Sequence, residues 1–348
     1  MMNIFIRADA SIEMGTGHIM RCLTLAAFLK EKGAGVQFIC ASTIGNLIDY
    51  ISQEGYQVLV IPESNDKLLD ALNTIEALKH LKADLVIVDH YQMDWVWEAE
   101  VREAGNFKIM VIDDLADRNH DCDLLLDQNY FKAYEKRYDE LMPSECKKLL
   151  GPKYLLLRPE FYQDTGTAQG ISAIKNILVF YGGSDPTNET LKFLESLNFI
   201  DLSSFNVHVV VGLSNANLEL IKQLCGEKNI NFYVQINYIS ELMRKADLAL
   251  GAGGVTMWER CFLGLPSIVT IVADNQKEST EAAAEFGAVW NIGWHENVQV
   301  PDLVESLNRA LDRPEELKKM SIKAKQLMQS DMQYNIHPVV EAILEVLK

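Results

Sequence analysis

The chain has 348 residues, of which 48% are hydrophobic and 23% charged, enough for about two ordinary domains of roughly 150 residues, each with its own core. Its 49 acidic residues outnumber 32 basic ones, for a net charge of −17. Such a surface repels phosphate backbones and anionic lipids, which argues against nucleic-acid or membrane binding as the main task, and no apolar run approaches the roughly 20 residues of a membrane span.

The opening, Met1-Met2-Asn3-Ile4-Phe5-Ile6-Arg7, has no basic segment leading into a long apolar one, so a cytoplasmic location is expected. Asn3 to Arg7 reads as a strand, Asp9 to Gly17 as a glycine-containing loop and Ile19 to Glu31 as an amphipathic helix closed by Gly33, a residue suited to the C′ position. Val36 to Cys40 is a second strand. The runs ending Val88-Asp89 and Ile112-Asp113-Asp114 are apolar without alternation until their acidic ends, the look of buried parallel strands. Leu124 to Leu126 adds one more. Asp113, Asp114 and Asp117 are expected to be solvated strand-end carboxylates.

From 158 to 175 the texture turns polar and glycine-containing, and a domain boundary is placed there. Strands follow at Asn176 to Tyr181, Val207 to Val211, Asp247 to Leu250 and Ser267 to Val272, separated by helical stretches, and the chain beyond 302 is helical by period. The pattern is α/β: two halves in tandem, each a mostly parallel sheet wrapped by helices. Ligands of such sheets bind at the carboxyl ends of strands, and two halves facing each other make a cleft. The expected organisation is an N-terminal domain over 1–164, a C-terminal domain over 165–330 and a terminal helix over 331–348 that packs back on the first.

His18 stands in the first turn of its helix, after Gly15-Thr16-Gly17. The positive end of a helix disfavours imidazolium, so a histidine there stays neutral and can accept a proton; the bland alternative is a capping or packing residue. The loop is no dinucleotide fingerprint, because Met20 replaces the third glycine and the second strand ends without an acidic residue. In the second half, Gly251-Ala252-Gly253-Gly254-Val255-Thr256 leads into a helix whose free first-turn amides can cradle a phosphate. Glu259 lies one turn on, where a carboxylate can accept both hydroxyls of a ribose. No Walker lysine is present. Gly182-Gly183-Ser184 can face a phosphate or a base, or simply form a turn. Tyr91, after Asp89-His90, can meet a ligand from the other wall or pack in the core, and Asn275 can cap a helix. The seven histidines show no metal-ligand spacing, and the six cysteines have no C-x-x-C pair, so no metal and reduced, packed thiols are expected.

Arg7-Ala8-Asp9, the run from Gly15 to Ala26, Val88-Asp89-His90-Tyr91, the segments from Gly151 and Arg158, Gly182 to Pro186 and Gly251 to Glu259 together resemble the UDP-sugar hydrolases of pseudaminic acid biosynthesis. The likeness extends to about Asn275; the opening motif is specific, whereas the later glycine-rich loops are similar to those of GT-B glycosyltransferases more widely. The resemblance implies a GT-B fold of two Rossmann-like domains facing a central cleft. It implies hydrolysis of a UDP-linked 2,4-diacetamido-2,4,6-trideoxy sugar at the anomeric C–O bond, with inversion and release of UDP. It implies His18 as general base, Tyr91 on the sugar side, Arg158 near the diphosphate and Glu259 on the ribose. No cofactor is expected, the partner is a small UDP-amino sugar, and a monomer is favoured with the oligomeric state left open. The alternatives are a GT-B transferase using a UDP-amino sugar and a non-catalytic UDP-sugar-binding protein.

Overall fold

A computed structural model describes residues 2–11, 17–162, 174–329 and 336–348. The chain forms two compact units. The first runs to Asn129, takes up Ala133–Arg158 and includes the C-terminal segment; the second comprises Tyr130–Lys132 and the stretch beginning at Pro159. Gly15 and Thr16, with the rest of 12–16, lie outside the described residues, as does the 164/165 boundary.

The first unit is built from β1 (Asn3–Ala8), α1 (Gly17–Glu31), β2 (Gly35–Ala41), α2 (Ile48–Gln53), β3 (Gln57–Ile61), α3 (Lys67–Leu78), β4 (Leu85–Asp89), α4 (Trp95–Glu103), β5 (Lys108–Ile112), β6 (Leu124–Asp127) and β7 (Lys147–Leu150). All pairings are parallel, in the order β3-β2-β1-β4-β5-β6-β7. Every residue of β4 is buried, as a central parallel strand with both faces covered requires. Because β1 lies between β2 and β4, the loops after β1, β4 and β5 leave the same edge of the sheet side by side.

The second unit repeats the plan with β8 (Asn176–Phe180), α5 (Glu189–Ser196), β9 (Asn206–Val211), α6 (Leu218–Glu227), β10 (Asn231–Val234), α7 (Ile239–Lys245), β11 (Leu248–Ala252), α8 (Val255–Leu263), β12 (Ser267–Ile271), α9 (Asp274–Phe286), β13 (Trp290–Trp294), α10 (Val300–Asp312) and α11 (Pro314–Met328). Its parallel sheet has the order β10-β9-β8-β11-β12-β13, so the loops after β8, β11 and β12 are neighbours. Helix α12 (Pro338–Val346) then returns to the first unit, where Val339, Val340 and Ile343 join the core formed by β1, α1 and β4. The strands β3, β7, β10 and β13 fall outside those expected from the sequence, although β3 carries the apolar run Val58-Leu59-Val60-Ile61, and all four are sheet edges.

Candidate active site

In the first unit the site grows from the ends of β1, β4 and β5. His18 is the second residue of α1 and only 5% exposed. Its Nδ1 lies 2.5 Å from Oδ1 of Asp89, the last residue of β4. Asp89 is fully buried and also receives Arg21 through Nε at 2.6 Å and Nη2 at 2.6 Å, with the Cys22 thiol at 3.4 Å. Burial alone would raise this carboxyl, but the Arg21 guanidinium and the His18 ring hold it well below the usual carboxylate range. An ionised Asp89 accepts, so Nδ1 of His18 donates, and the lone pair is left on Nε2. The Tyr91 ring meets the imidazole edge to face, with centroids 4.5 Å apart. Arg21 continues through Nη1 to Asp114 at 3.1 Å, beyond the end of β5.

Beneath this lies a second buried network. Arg7 contacts Asp9 at 2.6 Å and Asp70 at 3.1 Å through Nε, while the Trp97 indole N–H donates to Asp70 at 2.9 Å. Asp9 accepts from the Ala41 amide and so ties the end of β1 to that of β2. His90 accepts from the Gln92 amide at Nδ1, and its Nε2 faces Asp9 at 3.6 Å. Burial, reinforced by the Arg7 charge, pushes its basicity down to about 4, so His90 is a neutral structural imidazole.

The expectation of solvated carboxylates holds for Asp117, which is exposed, and fails for Asp113 and Asp114. Asp113 is buried and accepts from the Tyr138 hydroxyl and the Ala116 amide, both at 2.9 Å, and pairs with Arg118. Asp114 serves Arg21. Arg118 comes from the same loop, whereas Arg21 comes from α1, 93 positions away, a pairing the local sequence does not reveal. Arg158 is half-buried at the end of the first unit, where its charge is felt by Tyr50 of α2. The six cysteines are free and buried.

In the second unit the turn after β11 carries Gly253 and Gly254 into α8. A Cβ on Gly253 would stand 2.5 Å from the Thr280 hydroxyl, and Gly254 has φ +84°, so both positions require glycine. No side chain caps α8, which leaves the Val255 and Thr256 amides at the positive end of the helix for an external acceptor. Glu259 is buried one turn further on. Arg260, also buried, donates to the Ala252 carbonyl at 2.8 Å and to the Ser267 hydroxyl at 3.1 Å, fixing the turn to its strand. Burial lowers its basicity to about 10, leaving it protonated at neutral pH. The neighbouring loop after β8 holds Gly182, exposed Gly183 and exposed Ser184, followed by Asp185, whose carboxylate accepts from the Glu189 and Thr190 amides. Asn275 is exposed in the first turn of α9, beside Gln276, which packs against Gly253. The structure thus gathers Gly182, Gly183, Ser184, Gly253, Gly254, Val255, Thr256, Glu259 and Asn275 onto three adjacent strand ends, and Gly17, His18 and Tyr91 onto another set. Asp89 and Arg21 are the members of the first cluster that sequence reasoning missed.

Residues 177–336 match the glycosyltransferase family 28 C-terminal domain. An uncharacterized protein of Methanocaldococcus jannaschii is 32% identical over 286 residues, covering 80% of this chain and 57% of that protein; the chain therefore spans little more than half of that relative's length. The UDP-2,4-diacetamido-2,4,6-trideoxy-beta-L-altropyranose hydrolase of Campylobacter jejuni is 29% identical over 248 residues, covering 71% of this chain and 83% of the enzyme. Among solved structures, Acinetobacter baumannii MurG superposes with a TM-score of 0.68 at 15% identity, over 99% of this chain and 100% of that one. The architecture, two parallel-sheet α/β units, is that of the GT-B fold.

Proposed function

We propose that the chain hydrolyses a UDP-linked 2,4-diacetamido-2,4,6-trideoxy sugar at its anomeric C–O bond, releasing UDP and the free sugar with inversion. The observation that carries this reading is the 2.5 Å contact between His18 Nδ1 and Asp89, because it leaves a basic Nε2 on a ring held in one orientation. In the proposed step, Nε2 takes a proton from water as the water oxygen bonds to C1. The bond from C1 to the diphosphate oxygen breaks, and its electron pair leaves with UDP. A general base of this kind contributes roughly 10²–10⁴-fold. Diphosphate is a stable anion, so no acid is needed on the leaving group, in contrast to ordinary glycosides. The uncapped amides of α8 would stabilise its charge, which is why the route requires no metal.

In this reading Glu259 accepts the ribose hydroxyls, Gly182, Gly183, Ser184 and Asn275 line the nucleotide, Tyr91 borders the sugar and Arg158 approaches the diphosphate. The protein would act as a cytoplasmic monomer in pseudaminic acid biosynthesis. Support comes from the similarity to the Campylobacter hydrolase and from the histidine–aspartate pair. The match to a glycosyltransferase domain over residues 177–336 favours a second reading, transfer to an acceptor hydroxyl.

The test is the purified chain with UDP-2,4-diacetamido-2,4,6-trideoxy-β-L-altropyranose and no acceptor, followed by proton NMR. UDP and the inverted free sugar should appear together. His18→Ala should still bind UDP and lose turnover by about 10²-fold or more. An intact sugar nucleotide after long incubation favours the transferase, and full activity in the variant removes the base.

A further inference from the structure

His18 is faced by Asp89 from β4, by His90 and Tyr91 just beyond that strand, and by Arg21 from its own helix, with Asp114 acting through Arg21 and Cys22 sharing Asp89. A carboxylate against an imidazole does two things at once. It fixes which nitrogen carries the proton, and it stabilises imidazolium, which would keep the ring charged and unable to act as a base. The first effect is useful to a base and the second is harmful.

The geometry separates them. Arg21 grips both oxygens of Asp89 at 2.6 Å, and its Nη2 stands 3.2 Å from the same His18 nitrogen that faces the carboxylate. A proton added to the ring meets one negative and one positive charge at similar range, so the two largely cancel. The spacing of three residues on α1 puts His18 and Arg21 on one helix face, and Asp114 anchors the third guanidinium nitrogen at 3.1 Å. Resting on the hydrolytic reading above, we propose that Arg21 is a positioning residue that neutralises Asp89, so that the carboxylate orients His18 without holding it in the charged form.

The experiment is a pH titration of the full chain labelled with ¹⁵N-histidine, with the His18 signals assigned from His18→Gln, alongside the pH profile of UDP release. In Arg21→Met the midpoint of the His18 titration should rise by about one pH unit or more, and the acid limb of kcat/KM should rise with it. Arg21→Lys, which keeps the charge but not the fork, should bring both back towards the parent values. An unchanged midpoint in a folded Arg21→Met protein overturns the proposal. If that variant does not fold, Arg21→Gln, which keeps hydrogen-bond donors without the charge, is read instead: its midpoint should rise, and no shift or a fall overturns the proposal. If the midpoint moves and the acid limb does not follow, the role of Arg21 stands, and His18 as the base is what fails.

Discussion

Asp89 lies 71 positions from His18 in the chain, yet the two side chains touch. The pairing follows from the sheet, because β1 and β4 are adjacent and α1, the helix that follows β1, brings His18 in its first turn to Asp89 at the end of β4. His18 was legible from its loop and helix position, and Arg21 could have been found from its spacing on the same helix. Asp89 could not be chosen over the other strand-end acids, because strand order is a nonlocal property. Glu259 was legible for the opposite reason: its spacing from Thr256 is set by one helix turn. Its proposed contact with a ribose is checked by calorimetry with UDP. Glu259→Ala should weaken UDP by roughly 10–100-fold, the loss of a hydrogen-bonded charge, and an unchanged affinity would remove the assignment.

At the scale of elements, the interior strands announced themselves as apolar runs, and among the edge strands only β3, with Val58-Leu59-Val60-Ile61, did so. β4 and β11 are buried throughout, whereas β10 and β13 contain no fully buried residue and β3 and β7 only one each. An edge strand covers its core with fewer side chains, so its sequence reads as loop. Helix α12 shows how a short element is held. Val339, Val340 and Ile343 each contribute roughly 1.5–3 kcal/mol by burial. His337 caps the helix by accepting from the Val339 amide, donates Nε2–H to the Leu155 carbonyl at 3.1 Å and stacks on Phe28. Burial pushes its basicity down to about 4 from an ordinary 6.5, against the Leu155 bond, which raises it. The unfolded chain therefore binds the proton more readily, and stability falls as pH drops from about 6.5 to about 4. Urea unfolding should show this loss, on the order of 1–3 kcal/mol from this group, and His337→Gln should flatten the slope.

For the molecule as a whole, the cluster around β1, α1 and α12 in the first unit is separate from the one around β8, β11 and α10 in the second, so each unit can respond to a ligand on its own. With UDP held in the second unit, saturation at about 100 times Kd should add ~2.7 kcal/mol to its stability. Amide exchange should then slow in β8, β11, α8 and β12 more than in the sheet of the first unit; equal slowing in both would contradict the assignment of the nucleotide to the second unit. The tandem α/β plan was legible because each half repeats the same alternation of runs. The return of α12 has a consequence for vectorial synthesis. A ribosome releases the first sheet early, yet the helix that completes its hydrophobic centre is translated only after the whole second unit. The amino-terminal lobe must wait, with an open apolar seam, until its partner has emerged.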